Sequence, residues 1–232
     1  MESQNSSNVS ANFEDEYYLL SPSDITNYPL IYENCRQFTC SYEKYKDCEK
    51  VPDCPALYRQ KVKIENPEPF ILNFITDFTK KEVIYADCYM GLSISGSSFV
   101  VSPKLYDILH TLNIAGIQFI PVILLEGHEV KYTDFWYVHT YNFLPVLSVK
   151  NSRFQSTDKT KIRNNLLKIR FNSKKLSSIK LENRLIFRFP MPRSYFIFHV
   201  SIVDKIKTIN PVGFDFVQIS KINFPNTDAT FI

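Results

Sequence analysis

Glycine is the residue that this 232-residue sequence most obviously lacks, because the whole chain contains five. That is about 2% of the residues against a usual ~7%. So few glycines argue against the glycine-rich loops that hold nucleotide phosphates. The one stretch with suitable spacing, Gly91 to Gly96, is followed by Ser97 and Ser98 instead of the essential lysine. We therefore interpret it as a Ser/Gly loop.

Long hydrophobic runs and a targeting segment are also missing. No apolar run approaches the ~18 residues that a membrane-spanning helix needs. The first ten residues are polar and do not show the basic and then apolar segments of a signal peptide. With 44% hydrophobic and 15% aromatic residues, the composition excludes a disordered chain. The sequence predicts a soluble, globular, cytoplasmic protein with no membrane partner.

Histidine is scarce, which limits the catalytic sites that the chain can build. The four histidines include no H-E-x-x-H pair, and no spacing of carboxylates marks an acid–base pair. His139 and His199 lie in apolar segments typical of strands, so we interpret them as core histidines. We expect no catalytic residues, no cofactor and no enzymatic activity.

Cysteine is present but poorly arranged for a metal site or for disulfides. The five are Cys35, Cys40, Cys48, Cys54 and Cys88. Zinc ligands usually come as C-x2-4-C pairs, whereas the first four cysteines are separated by four, seven and five residues with no histidine nearby. The odd count and the missing secretion signal disfavour disulfides. We predict free thiols and no bound metal.

Hydrophobic patterning predicts an α+β fold, with mixed or antiparallel sheet and a few short helices. Residues 1–12 are expected to form a disordered tail, and residues 13–232 one domain, with two lobes of about 13–150 and 151–232 as the alternative. Ser102 and Pro103 form a typical helix start, a cap followed by proline at the first helical position. Pro121 lies in the apolar segment 117–125, which predicts an edge-like or bulged strand.

An internal repeat is the most informative pattern. Residues 111–120 match residues 208–217 at a constant offset of 97, with identical Thr, Asn, Gly and Phe. Each copy is predicted to be a strand, a short helix, a glycine turn and a strand, with helices near 103–112 and 202–209. The prediction assigns cap or turn roles to Ser102, Pro103, Gly116, Phe119, Ser201, Gly213 and Phe216.

Charge is unevenly distributed along the chain. Residues 1–116 hold 10 Lys and Arg against 16 Asp and Glu, whereas residues 117–232 hold 17 against 8. In segments 167–171 and 185–189, Phe, Leu and Ile alternate with Lys and Arg, which is typical of half-exposed strands. Core-facing aromatics with solvated cations fit this alternation better than a nucleic-acid surface, for which no signature is found.

The order of the segments resembles the type 11 family of polymorphic-toxin immunity proteins. The matching features begin with Tyr17-Tyr-Leu19, continue with Val101-Ser-Pro-Lys-Leu and Gly116-Ile-Gln-Phe-Ile-Pro, and then with Phe135-Trp-Tyr-Val-His. They end with Leu144-Pro-Val-Leu and Ser152, Leu185-Ile-Phe-Arg-Phe, Phe198-His-Val-Ser and Gly213-Phe-Asp-Phe. The family usually has an acidic residue shortly before the position of Ser152, and this chain has Leu147-Ser-Val-Lys-Asn there.

The resemblance implies a protein that binds and neutralises a cognate toxin inside the producing bacterial cell, and it transfers no catalytic residue. The alternative is a nucleic-acid-binding or regulatory domain that uses the basic C-terminal half. Complementary charge accelerates association between proteins, so we expect the cations to face the toxin from one outer surface. These residues are Lys168, Arg170, Lys174, Lys175, Lys180, Arg184, Arg188 and Arg193. The alternative interface is the acidic N-terminal half, which would cover a cationic nucleic-acid cleft on a nuclease toxin.

Overall fold

The computed structural model describes residues 12–22, 30–33, 62–67, 69–75, 85–89, 98–126, 129–154, 166–190 and 195–222. The helices are α1 (Phe13–Glu16), α2 (Pro103–Thr111), α3 (Ser173–Ser177) and α4 (Val200–Lys207), with 3-10 turns at Leu181–Asn183 and Ile219–Lys221. The strands are β1 (Tyr17–Pro22), β2 (Leu30–Glu33), β3 (Phe70–Ile75), β4 (Cys88–Tyr89), β5 (Ser98–Val101), β6 (Ile117–Glu126), β7 (Glu129–Thr140), β8 (Arg153–Phe154), β9 (Leu166–Lys168), β10 (Ile186–Arg188), β11 (Phe196–His199) and β12 (Phe214–Gln218).

These strands form two main sheets and a small ladder. The six-stranded sheet has the order β2-β3-β6-β7-β5-β4, and the four-stranded sheet has the order β10-β11-β1-β12. The pair β3–β6 is parallel and every other pair in these two sheets is antiparallel. The short ladder joins β8 to β9. The predicted α+β class with mixed and antiparallel sheet is confirmed.

The strand that contains Pro121 is central, not at an edge of the sheet, but its local pairing explains how it tolerates the proline. Pro121 pairs with Trp136 of β7 on one side, whereas pairing with β3 on the other side begins only at Val122. On the β3 side, the missing N–H of Pro121 therefore interrupts no ladder. Register shifts follow between Val122 and Leu125, which confirms the predicted bulge.

The two copies of the sequence repeat form the same strand–helix–strand unit. In the first unit, β5, α2 and β6 are consecutive, and β7 lies between β5 and β6 in the sheet. In the second unit, β11, α4 and β12 are consecutive, and β1 lies between β11 and β12. The inserted strand is antiparallel to both neighbours in each case. The arrangement is a split β-α-β unit built twice.

The registers of the two units agree residue by residue. Phe119 pairs with Val138 and Val101 pairs with Trp136. The residues 97 positions later, Phe216 and Phe198, pair with Leu20 and Tyr18. A shift of one residue in the register would move every side chain to the opposite face of the sheet. The identical registers therefore show that the two copies of the repeat share their backbone structure as well as their sequence.

The start of the second helix differs from the predicted one. Ser102 caps α2 as predicted, and its side chain accepts a hydrogen bond from the backbone N–H of Leu105. The cap of α4 is His199, however, and Ser201 lies inside the helix. The constant offset of 97 carries Ser102 onto His199, so the prediction of Ser201 as the cap was wrong by two residues. The observed helices 103–111 and 200–207 replace the predicted 103–112 and 202–209.

Both predicted glycine turns are present after these helices. Gly116 and Gly213 have φ angles of 73° and 91°, a region closed to most side chains. The matched Asn113 and Asn210 also have positive φ, at 44° and 46°, as asparagine often does. Phe119 then packs against the Tyr106 ring on α2, whereas Phe216 packs against the strand residues Phe198 and Phe214.

Three apolar clusters fill the spaces around the sheets. The central cluster joins the two units, because it contains residues of α2 and α4 together with residues of both sheets. Its buried helical members are Leu105, Leu109, Ile202, Val203 and Ile206. A second cluster covers the other face of the six-stranded sheet. The third includes Tyr17 and Phe187 of the four-stranded sheet with Phe171 and Leu176. The basic segment 166–184 therefore lies over the four-stranded sheet.

Candidate partner-binding surface

The short helix α3 presents two of the predicted cations to solvent. Asn172 caps this helix by accepting a hydrogen bond from the backbone N–H of Lys175. Leu176 is fully buried and anchors the helix to the third cluster. Lys174 and Lys175 are exposed as a consequence. Lys180 is also exposed and lies 3.9 Å from the Glu182 carboxylate, a surface pair that contributes little to stability.

Lys168 and Arg170 follow the predicted alternation. Both are half-buried, whereas Leu167, Ile169 and Phe171 are buried. Lys168 pairs directly with Arg153 across the β8–β9 ladder, so the two side chains share a face. Among the described residues, no ion pair involves Lys168 or Arg170. These two cations are thus available to an external carboxylate.

Arg184 is held by the protein itself. Its guanidinium donates hydrogen bonds to the Tyr17 hydroxyl and to the backbone oxygen of Ile179, and it lies 5.2 Å from the centre of the Phe13 ring. Burial raises the pKa of Tyr17 to about 12, although the neighbouring Arg184 charge acts in the opposite direction. Arg184 therefore fixes α1 and β1 and is a poor candidate for contacting a partner.

Arg188 was predicted to lie on the outer basic surface, and this prediction is wrong because the side chain is buried. It is 4% exposed, and its guanidinium lies 4.9 Å from the centre of the Phe143 ring and 5.1 Å from that of Phe196. Burial lowers its pKa to about 10, so the side chain stays charged at neutral pH. Alternation of apolar and basic residues did not predict exposure here, because both faces of β10 are covered. Its three residues, Ile186, Phe187 and Arg188, are all buried.

The other predicted sites are only partly described. Arg193, the tail up to residue 11 and the cysteines Cys35, Cys40, Cys48 and Cys54 lie outside the described residues. Cys88 is a buried free thiol, and burial raises its pKa far above the usual range. Within the described ranges, no group of three or more His, Cys, Asp and Glu side chains is placed to hold a metal ion.

The two core histidines have structural partners. The Nε2 atom of His139 lies 2.9 Å from the backbone oxygen of Val62. The Nδ1 atom of His199 accepts a hydrogen bond from the backbone N–H of Ser201 at 3.2 Å. Burial lowers the pKa of both rings. Both histidines are buried, as the apolar pattern indicated.

Sequence reasoning missed the loop 148–152, whose tip carries Val149. This valine is 68% exposed, more than any other large hydrophobic residue that the structure describes. The loop interrupts the pairing between residues 146–154 and 166–172 and contacts Arg170 at both of its ends. The only signal in the sequence is the segment Ser148 to Ser152, which is polar except for Val149 and follows the apolar Leu144–Leu147 segment. It does not indicate a contact with Arg170, which is 18 residues from Ser152.

Comparison with known proteins identifies a matching family. The family described as Immunity protein family (Imm11) matches residues 5–221, a range that includes both split β-α-β units and the loop 148–152. No curated protein matches the chain. Among the described residues, no helix has the length and apolar character needed to cross a membrane. Because the match extends over nearly the whole sequence, this chain belongs to the Imm11 family of immunity proteins.

Proposed function

We propose that the chain binds a cognate toxin in the cytoplasm of the producing cell and neutralises it by binding, without catalysis. Membership of an immunity protein family over residues 5–221 is the observation that carries this proposal. The partner implied by the family is a toxin protein, and no metal or cofactor is needed for such a role. The apolar cluster common to the two units gives a stable core, and a protein that acts by binding another protein needs such a core together with exposed contact residues.

The basic surface over the four-stranded sheet supports toxin binding through charge. We define it by Lys168, Arg170, Lys174 and Lys175, which are at least partly exposed and form no ion pair with another described residue. Complementary charge raises association rates by one to three orders of magnitude. An acidic toxin surface is therefore the partner that this arrangement fits.

Binding of a nucleic acid is the competing use of the same cations. Single-stranded nucleic acids usually stack their bases on exposed aromatic rings. The aromatics nearest to these cations in sequence, Phe171, Phe187 and Phe189, are buried in the third cluster. They cannot form a stacking platform, so the same segment fits a carboxylate-bearing protein better.

The first experiment measures protection and binding together. The gene neighbourhood is first searched for an upstream open reading frame that encodes a toxin. Its product is then expressed with and without this chain, and host growth is followed. We expect growth only with the chain, and a 1:1 complex of the two purified proteins. Absence of both protection and binding overturns the proposed function.

The second experiment tests the basic surface. Reversing Lys168, Lys174 and Lys175 to Glu should weaken the complex by about ten- to a hundredfold at low salt, mainly through slower association. The control reverses two exposed lysines outside this surface, Lys63, which lies in no helix or strand, and Lys205 of α4. Equal losses in both variants argue against a specific surface. Tight binding to oligonucleotides with a steep salt dependence favours the nucleic-acid alternative.

A further inference from the structure

The loop 148–152 is a large bulge in an antiparallel pairing. Leu147 bridges to Phe171 before the loop, and Arg153 pairs with Lys168 after it. Between these two pairs, the five residues of the loop stand opposite only Ile169 and Arg170. Bulges re-aim side chains and are common beside functional sites, so the loop is a candidate for contact with a partner.

The loop is fixed by hydrogen bonds on both sides. The Ser148 N–H donates to the Arg170 backbone oxygen at 2.8 Å, and the Ser152 N–H donates to the Ser148 oxygen at 2.9 Å. The Ser152 hydroxyl accepts from the Arg170 N–H at 3.0 Å and donates to the Arg170 oxygen at 3.3 Å. The bulge removes the backbone partner that the Arg170 N–H would have in a regular ladder, and the Ser152 hydroxyl takes the place of that partner. A loop held in this way loses little entropy on binding.

The tip of this loop is apolar and its surroundings are basic. Val149 is 68% exposed, and the adjacent Lys150 is exposed. Arg170 lies at the base of the loop, and Lys168 pairs with Arg153 directly beyond it. A single exposed valine is ordinary on a protein surface. An exposed valine at the tip of a fixed loop, next to Lys150 and on a segment that pairs with the Arg170 backbone, has the character of a small apolar anchor within a charged rim.

We infer that the loop 148–152 is the anchor by which the chain holds its toxin, with Val149 entering a shallow apolar pocket whose rim is acidic. Arg170 pairs with a carboxylate of that rim, for which its planar guanidinium is better suited than lysine. Ser152 is a positioning residue that acts through the backbone of Arg170. A phosphate backbone offers no pocket for Val149, so a protein is the expected occupant. This inference rests on the proposed function.

The first test replaces the apolar tip with a charge. Val149→Asp should weaken binding of the purified product of the upstream open reading frame by about a hundredfold or more. The matched control is Val130→Asp, because Val130 is 54% exposed and lies in β7, outside the loop. Binding by Val130→Asp should equal that of the wild type. Unchanged binding by Val149→Asp, or equal losses in the two variants, overturns the inference.

The second test separates the roles of Arg170 and Ser152. Arg170→Glu should abolish measurable binding, and Arg170→Lys should weaken it by about tenfold because lysine cannot form the bidentate pair. Ser152→Ala should weaken binding by about tenfold, whereas Ser152→Thr should restore it because the hydroxyl is retained. A merely structural role predicts that Ser152→Ala lowers thermal stability without changing affinity below its melting temperature.

The results also separate this inference from the function on which it rests. If the wild type binds and protects while Val149→Asp and Arg170→Glu bind equally well, the proposed function stands and the anchor lies elsewhere. If the wild type itself does not bind, the proposed function fails. Circular dichroism of each variant identifies unfolded proteins, and Val149→Ser then replaces a Val149→Asp variant that does not fold. Val149→Ser should still weaken binding by about tenfold, and wild-type affinity in that variant overturns the inference.

Discussion

The two split β-α-β units share one backbone plan but differ in what surrounds them. The first unit is extended by β3, β2 and β4 into a six-stranded sheet, whereas the second gains only β10. The first helix is capped by a serine and the second by a histidine. The two units therefore share the helix, the glycine turn and the strand register, whereas their helix caps and flanking strands differ. This difference makes paired substitutions at positions 97 residues apart informative.

The glycine turns should give the largest effects of such paired substitutions. The Cβ atom of Gly213→Ala clashes with the Cβ of Ala86, and that of Gly116→Ala clashes with the Cβ of Asn142. Strain at positive φ and the clash together should lower the free energy of unfolding by about 3 kcal/mol in each case. We expect Gly213→Ala to be worse, because Ala86 is buried and Asn142 is only half-buried. Urea unfolding measures both, and a loss below about 1 kcal/mol would contradict the structural role of these turns.

The serine cap of the first unit should give an intermediate effect. Ser102 also donates a hydrogen bond from its hydroxyl to the buried carboxylate of Asp87 at 2.7 Å, and Asp87 accepts another from the Val212 N–H in the second unit. Ser102→Ala should therefore cost about 2 kcal/mol, more than an isolated cap. Ser102→Asn, which keeps an acceptor at the cap, serves as the control. Equal stability of Ser102→Ala and the wild type in thermal unfolding would contradict a stabilising role for the Ser102–Asp87 hydrogen bond.

The smallest effect concerns pH, because only the second unit has a cap that titrates. Burial lowers the pKa of His199 below its usual value, and this outweighs the opposite effect of Glu16, whose carboxylate lies 3.8 Å away. The unfolded chain then binds a proton more readily, so the stabilisation is present above the unfolded pKa of about 6.5 and is lost as the pH falls. His199→Asn keeps an acceptor without a titrating group and should reduce the loss of stability between pH 7.5 and 5. His139 titrates in the same direction and remains in both proteins. If His199→Asn loses as much unfolding free energy between pH 7.5 and 5 as the wild type does, the pH dependence is assigned to His139.

Much of the fold could be predicted because its signals are local. Ser102 before Pro103 marks a helix start, and Gly116 and Gly213 mark the turns that end the repeated helices. The misplaced cap at Ser201 shows the limit of such rules, because histidine is an unusual cap and serine a common one. The offset of 97 contained the correct position, since it carries Ser102 onto His199.

The candidate surface could be predicted only in part. Lys168, Arg170, Lys174 and Lys175 are at least partly exposed, as their pattern indicated. Arg188 has the same alternating neighbours but is buried, since Phe143 and Phe196 cover it. Alternation reports which side chains share a face, but not whether another part of the chain covers the second face.

The sequence by itself determined the class of fold, the repeated unit and the family, because caps, turns and hydrophobic periods depend on residues close together in the chain. The tertiary structure decided where the two sheets join, which cations remain outside and how Ser152 holds Arg170 across 18 residues. Such contacts depend on the packing of whole elements. Their free energy comes from burial and hydrogen bonding between segments that no local pattern connects.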